Sequence, residues 1–262
     1  MRLGPSRAGM EICTPSPSAR PEAQQSCALL PTRTLSLRLD IGVEAVALAI
    51  ESPQAVLRAL RSEVELLPAA PEAMSKRRAE FLAGRHAAAL ALAKIGLSGE
   101  VDRRVDRSPE WPLGAVGSIS HGAGMAVAVV ASHKTHRALG VDVEAIPNSA
   151  TASELAPHVA CEKEFDLLAR TLTRAGNEVC LSLVFSAKES LFKCLFPLTG
   201  EFMEFDDAMV ESLQLESAWS GSIALRLQRS LCAEFDVGRE LRARFSLASG
   251  HVETLVCLAH GQ

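Results

Sequence analysis

One nine-residue segment, Phe185-Ser-Ala-Lys-Glu-Ser-Leu-Phe-Lys193, constrains the fold most, because it sets charged side chains among apolar ones. It is predicted to form the first turns of a helix that ends before Pro197. Glu189 and Lys193 are four residues apart and therefore share one helix face. Taken alone, the pair fits an ordinary surface ion pair, which would stabilise a helix by about 0.3 kcal/mol.

A second segment, Gly140-Val-Asp-Val-Glu144, alternates apolar and acidic residues. On a strand, Asp142 and Glu144 would point to the same side of the sheet. If Glu189 joins them, three carboxylates meet and need a cation between them; oxygen ligands of this kind suit Mg²⁺. The alternative is that the two strand acids lie on the solvent face of a half-exposed strand.

Composition limits the class of protein. The chain has 262 residues, 48% of them hydrophobic, which suffices for one large domain or two small ones. Its net charge of −4 argues against a general nucleic-acid binder. Seven cysteines, an odd number without C-x-x-C spacing, indicate reduced thiols and no zinc site. Apolar runs are far shorter than the roughly 18 residues of a membrane span, so we expect a cytoplasmic protein without a membrane contact.

The chain divides into three predicted regions. Residues 1–33 are rich in proline and predict a disordered tail. Residues 34–137 would form an N-terminal half, and residues 138–262 a C-terminal half that carries the metal-binding acids. Each half has helices followed by strand material and ends on a similar apolar strand, 125–131 or 252–259, which suggests an internal duplication.

Local patterns predict the individual elements. Helices are expected at 54–66, 75–95 and 160–173, and strands at 42–50, 125–132, 140–146, 222–228, 241–247 and 252–259. Residues 133–139 are predicted to form a polar hinge.

Arginines cluster in and after the predicted helix 75–95. Arg77 and Arg85 fall near one helical stripe, and Arg103, Arg104 and Arg107 follow in a polar connection. Such a stripe is often only a solvated basic face. The sharper interpretation is a set of phosphate-directed arginines, because a guanidinium binds phosphate with two parallel hydrogen bonds.

The segment Gly117-Ser-Ile-Ser-His121 lies between strand-like pieces. A lone histidine is more often structural or exposed than functional. Here the neighbouring glycines would let a ligand approach the backbone closely.

Five segments, in this order and spacing, resemble the 4′-phosphopantetheinyl transferases of the enterobactin-synthetase type. They are Lys76-Arg-Arg-Ala-Glu-Phe-Leu-Ala-Gly-Arg85, Pro109-Glu-Trp-Pro112, Gly117-Ser-Ile-Ser-His121, Gly140-Val-Asp-Val-Glu144 and Phe185-Ser-Ala-Lys-Glu-Ser-Leu-Phe-Lys193. The resemblance covers roughly residues 40–260.

The resemblance implies an α/β (α+β) fold, a pseudo-dimer of two similar halves, each a small sheet packed by helices. It implies a monomeric, Mg²⁺-dependent enzyme that uses coenzyme A. The enzyme would transfer the 4′-phosphopantetheine arm to a serine of an apo acyl, aryl or peptidyl carrier protein and release adenosine 3′,5′-bisphosphate. Siderophore or other secondary-metabolite biosynthesis is the expected setting.

The resemblance also implies roles for particular residues. Asp142, Glu144 and Glu189 would bind Mg²⁺, Glu189 would also act as the base for the carrier serine, directly or through water, and Lys193 would stabilise charge on the pyrophosphate. The coenzyme A contacts would come from Arg77, Arg85, Arg107, Ser120, His121, Asp142 and Lys193. Arg103 and Arg104 compete with Arg107 for its role.

Two other functions use the same residues: a coenzyme A or carrier-protein binding module without transfer, and a Mg²⁺-dependent hydrolase of nucleotide pyrophosphates. For a carrier protein, the predicted docking residues are Lys188 and the apolar run Phe202, Met203 and Phe205.

Overall fold

The computed structural model describes residues 30–60 and 72–261. Most of the predicted tail, and the part of the predicted helix 54–66 that follows residue 60, lie outside the described residues. Thr32 and Arg33, which were assigned to the tail, pair with Leu48 and Ala47 of the next strand.

Five α-helices and eleven β-strands make up the described part of the chain. The helices are α1 (Pro53–Ala59), α2 (Glu72–Lys94), α3 (Ser149–Val159), α4 (Glu162–Thr171) and α5 (Asn177–Thr199). The strands are β1 (Thr32–Arg33), β2 (Val43–Ala49), β3 (Asp102–Arg103), β4 (Pro109–Glu110), β5 (Ala115–Gly122), β6 (Met125–Ser132), β7 (His136–Ala145), β8 (Ala208–Leu215), β9 (Ser220–Leu227), β10 (Glu240–Ala248) and β11 (His251–Ala259).

The elements form two halves, as expected of the α/β (α+β) fold. The first half has a four-stranded sheet in the order β1-β2-β6-β5, and the second has a five-stranded sheet in the order β7-β11-β10-β9-β8. All strand pairs in both sheets are antiparallel. Helix α2 packs on the first sheet and α5 on the second.

Small residues let α2 lie close to its sheet. Ala79, Ala83, Ala87 and Ala91 recur every four residues, so they form one stripe, and all four are fully buried. Alanine also has the highest helix propensity. The remaining faces of the helix are thus free to carry charged side chains.

Helix α5 is longer than predicted at both ends. It begins at Asn177 and continues through Pro197 to Thr199, so the prediction that it ends before Pro197 was wrong. The last turn is closed by Gly200, whose N–H donates to the Phe196 carbonyl at 2.8 Å and whose φ of 69° is left-handed. One proline near the end of a helix removes only one hydrogen bond, which this cap and the packing of the helix offset.

Two other elements differ from expectation. Helix α3 was missed because its sequence lacks a clear apolar stripe, although the Asn148 side chain caps it by accepting from the Thr151 N–H at 3.0 Å. The predicted hinge 133–139 is partly wrong, since β7 already begins at His136 opposite Ala259. Pairing with β11 outweighs the local polarity of that segment.

One of the apolar clusters contains residues of both halves and forms a core that they share. It contains Val127 and Val129 of β6 together with Val141 and Val143 of β7 and Leu255 of β11, all of them buried. Strands β5 and β7 meet at this boundary, which brings the Ser-His segment of the first half to the acidic strand of the second.

Candidate active site

The acidic face of β7 packs against α5. Gly140, Asp142 and Glu144 alternate along the strand and therefore share a face. A Cβ atom at Gly140 would lie 1.8 Å from the Ser190 carbonyl oxygen of α5. Helix and strand can approach this closely only because residue 140 is glycine, and their contact brings Glu189 and Lys193 to the strand acids.

Asp142 is the centre of the cluster. Its side chain is buried, with the residue 1% exposed. Its Oδ1 accepts from Lys193 Nζ at 2.5 Å and from Ser120 Oγ at 2.9 Å, and Lys193 Nζ also lies 4.0 Å from Glu189 Oε2. Its Oδ2, equally buried, has no hydrogen-bond partner among residues 30–60 and 72–261.

The remaining two carboxylates are shifted toward their protonated forms. Burial, reinforced by the charge of Asp142, raises the pKa of Glu144 to about 7, against the opposing effect of Lys193. Burial also raises the pKa of Glu189, and Lys193 again opposes the shift. The three carboxylates thus interact electrostatically, and their negative charges repel one another unless a cation compensates them.

The donor chemistry fits Mg²⁺: there are three carboxylates, and one of them, Asp142, has a buried oxygen without a hydrogen-bond partner among the described residues. Within residues 30–60 and 72–261, no set of three His, Cys, Asp or Glu side chains is yet arranged to hold a metal ion. The positive charge beside Asp142 is the ammonium of Lys193. A metal ion would therefore need the three carboxylates to converge around it.

Most of the predicted phosphate-binding residues surround one open groove of about 1060 Å³ in the first half. Arg77, Arg85, Arg103, Arg107 and His121 all line it. Of the three arginines that competed for one role, Arg103 and Arg107 thus face the groove. Their shared surface is positively charged and open, as an anionic ligand requires.

An aromatic ring organises the arginines at this groove. The guanidinium of Arg85 lies 4.8 Å from the centre of the Phe81 ring, and those of Arg78 and Arg103 lie 6.0 Å from it. Arg85 donates to the backbone carbonyl of Asp102 at 3.1 Å, while its buried Nε has no hydrogen-bond partner within the described ranges. Burial lowers the pKa of Arg85, against the opposing charge of Asp102.

A second cavity, of about 450 Å³, adjoins the groove and lies between the halves. Arg107 borders both cavities, and Lys193 connects this one to the carboxylates. The rest of its lining is largely apolar and includes Trp111, Phe192 and Phe202.

Lys188 does not lie on the surface, contrary to the docking role predicted for it. It is 5% exposed, and its Nζ donates to the Val159 carbonyl at 2.9 Å and pairs with Glu164 Oε1 at 2.9 Å. Glu164 also accepts from the Cys161 and Val210 N–H groups. This buried ion pair was missed because Glu164 is remote in sequence, although position 188 falls in the apolar stripe of α5 with Val184 and Leu191.

Comparison with known proteins identifies the family. A family model described as the 4′-phosphopantetheinyl transferase N-terminal domain matches residues 64–131, and one described as the 4′-phosphopantetheinyl transferase superfamily matches residues 138–248. The 4′-phosphopantetheinyl transferase PptT of Mycobacterium tuberculosis is 31% identical over 196 residues, which cover 74% of this chain and 85% of that protein. The chain belongs to the 4′-phosphopantetheinyl transferase family.

Other relatives match shorter parts of the chain. Npt of Nocardia iowensis, also a 4′-phosphopantetheinyl transferase, is 33% identical over 173 residues, 66% of this chain and 73% of that protein. Enterobactin synthase component D of Salmonella typhi is 40% identical over 138 residues, 53% of this chain and 56% of that protein. The match thus spans only about half the length of this last relative.

No helix of the described residues is long and apolar enough to cross a membrane.

Proposed function

We propose that this transferase moves the 4′-phosphopantetheine arm of coenzyme A onto a serine of an apo carrier protein. The observation that carries the proposal is the meeting of Asp142, Glu144, Glu189 and Lys193 beside two connected cavities, one rich in arginine and one largely apolar. The parts of coenzyme A match these surfaces: it has a phosphorylated nucleotide, a pyrophosphate and a long neutral arm.

The proposed binding mode follows the charges. The nucleotide and its 3′-phosphate lie among Arg77, Arg85 and His121, whose groove is the larger of the two. Arg107 borders both cavities and reaches toward the pyrophosphate. Lys193 approaches the pyrophosphate from the side of α5. The arm, which has no charge, extends into the apolar cavity.

The proposed reaction is a displacement at phosphorus. The serine oxygen of the carrier forms a bond to the phosphorus that bears the pantetheine arm, and the bond from that phosphorus to the bridging oxygen breaks. The electron pair leaves with adenosine 3′,5′-bisphosphate. Glu189 takes the serine proton, directly or through a water molecule, and because burial raises the pKa of its carboxyl, the carboxylate is a stronger base than an exposed one. Lys193 stabilises the charge that gathers on the leaving phosphate.

Asp142, Glu144 and Glu189 are the residues that would hold Mg²⁺. When bound, the ion supplies positive charge to the pyrophosphate oxygens. Val143 lies between the two strand acids and points into the shared core, so this strand offers two carboxylates and no third.

The carrier protein is expected to dock near the apolar cavity. Phe202 is 63% exposed. Its ring contacts the ring of Phe192 edge-to-face, with 5.1 Å between the ring centres, and Phe192 directly precedes Lys193 in the chain. Met203 is buried and Phe205 packs against the C-terminal core, so of the three apolar candidates Phe202 is the one best placed for contact. We further propose that the enzyme acts as a monomer in the cytoplasm and that its two halves correspond to residues 34–137 and 138–262.

The deciding experiment mixes the purified protein with coenzyme A, Mg²⁺ and a panel of apo carrier proteins, and measures the intact mass of each carrier. One phosphopantetheine arm adds about 340 Da. A shift on any carrier that requires Mg²⁺ supports the proposal. Bound coenzyme A with no shift on any carrier would favour a binding module, and breakdown of coenzyme A without a shift would favour a hydrolase.

A further inference from the structure

Asp142 has two oxygens with opposite surroundings. Oδ1 accepts two hydrogen bonds, from Ser120 and Lys193, whereas Oδ2, although equally buried, has no partner in the part of the chain that the structure describes. Leaving a buried acceptor unpaired costs about 1–3 kcal/mol, and native proteins rarely accept that cost without a reason. The asymmetry therefore needs an explanation.

The hydroxyl of Ser120 is well fixed. The residue is 4% exposed, and its backbone pairs with Val127 of β6. Two positions earlier, the Oγ of Ser118 accepts from the Val141 N–H at 3.1 Å and ties β5 to β7. Ser120 thus meets Asp142 across a rigid strand contact, and its hydroxyl points at the carboxylate instead of the open groove.

We propose that Ser120 is a positioning residue for Asp142: together with Lys193 it holds Oδ1, so that Oδ2 is the atom presented to the divalent cation. The inference rests on the proposed function, because it concerns the same metal. It differs from the role implied by the family resemblance, in which Ser120 contacts coenzyme A. Without the hydroxyl, Asp142 could rotate and lose this orientation. Partners that orient a metal ligand in this way typically account for 10–100-fold in metal affinity.

The test measures binding without turnover. Mg²⁺ is titrated calorimetrically into the whole protein saturated with coenzyme A, with no carrier present, and coenzyme A affinity is measured separately without metal. In Ser120→Ala the dissociation constant for Mg²⁺ should rise about 10–100-fold. The affinity for coenzyme A without metal should stay within about threefold. Ser120→Thr, which keeps the hydroxyl, should restore most of the Mg²⁺ affinity.

Ser118→Ala is the matched control. It removes an equally buried hydroxyl from the same face of the same strand, but that hydroxyl bonds to the Val141 N–H and not to Asp142. Its Mg²⁺ affinity should therefore stay near that of the wild type. If Ser120→Ala does not fold, as judged by circular dichroism, Ser120→Cys replaces it, since a thiol is nearly the same shape but a weak donor.

Three results would overturn the inference. The first is unchanged Mg²⁺ affinity in a folded Ser120→Ala or Ser120→Cys variant. The second is a loss of coenzyme A affinity without metal, which would assign Ser120 to the ligand phosphate instead. The third is the absence of Mg²⁺ binding by the wild-type protein. If the wild type binds Mg²⁺ and Ser120→Ala weakens it, but no carrier is ever modified, the proposed function fails and the role of Ser120 stands.

Discussion

Glu189 is partly exposed, yet its carboxyl pKa is raised by burial of the acidic cluster. We expect Glu189→Gln to lower the rate of carrier modification by about 10²–10⁴-fold, because amide oxygen cannot accept the serine proton. The thermal midpoint should hardly change, since the side chain is 32% exposed and its ion pair with Lys193 is long, at 4.0 Å. Intact-mass kinetics at saturating coenzyme A measure the rate.

Glu178→Gln is the control for that variant. Glu178 lies in the first turn of the same helix, where it bonds to Ser149, far from the cluster. Its rate should match the wild type within about twofold. A Glu189→Gln enzyme that kept its rate within tenfold of the wild type would exclude Glu189 as the base.

His136 gives the protein a pH-dependent term in its stability. Burial lowers the pKa of His136, with Asp40 opposing and His260 reinforcing the shift. Below about pH 6.5 the unfolded chain binds more protons at this site than the folded one, so the free energy of unfolding falls as the pH falls. Urea titrations at pH 7.5 and 5.5 should show a smaller loss in His136→Gln than in the wild type. An equal or larger loss in the variant would contradict the assignment.

At the scale of single residues, sequence patterns suffice where the chemistry is local. The spacing of Glu189 and Lys193 and the alternation of Asp142 and Glu144 predict which side chains can meet. The link from Ser120 to Asp142 could not be predicted, because it depends on how β5 crosses β7.

At the scale of elements, the close contact of α5 with β7 positions the site. Gly140→Ala places a methyl group 1.8 Å from the Ser190 carbonyl oxygen. At that distance the backbone of α5 or of β7 must move. We expect a loss of about 3 kcal/mol in the free energy of unfolding, at the upper end of the usual cost of overpacking. Mg²⁺ affinity should fall too, because α5 carries Glu189 and Lys193. Urea unfolding and Mg²⁺ calorimetry measure the two effects.

Gly200→Ala is the control, because it should lower the stability of the protein without changing the position of α5 against β7. It lies at the end of the same helix with nothing near its Cβ position, but with a left-handed φ of 69°. Alanine there costs about 1 kcal/mol through the backbone alone. Mg²⁺ affinity should be unchanged. If Gly140→Ala behaved in the same way, the close helix–strand contact would not be what aligns the carboxylates.

Element prediction from the sequence succeeded for the strongly apolar strands and was less accurate where proline or polar residues interrupt the pattern. Strand β6 is a continuous apolar run up to Ser132, and β11 is apolar except for His251, Glu253 and Thr254; both lie where they were expected. The ends of α5 and the start of β7 were misjudged, because Pro197 and the polar residues after 132 are local signals that tertiary packing outweighs.

At the scale of the whole molecule, the two halves are coupled by the core that they share. Valines of β6 in the first half and of β7 in the second pack into one cluster. The ligand groups are divided in the same way, since the arginine groove belongs to the first half and the carboxylates to the second. A site of this kind needs the halves to stay together, and we expect them to unfold as one cooperative unit.

The two tryptophans allow a direct test of this cooperativity, because each half contains one of them: Trp111 lies in the first half and Trp219 in the second. Trp219 is exposed, so Trp219→Phe should be mild and leaves Trp111 as the reporter of the first half. In that background, Leu225→Ala removes a fully buried side chain from the core of the second half, at a cost of about 2–5 kcal/mol. The urea midpoint seen by Trp111 fluorescence should fall by about 1 M, together with the far-ultraviolet circular dichroism. A Trp111 midpoint that stayed in place while the circular dichroism shifted would mean that the halves unfold separately, and the shared core would then be too weak to hold the site together.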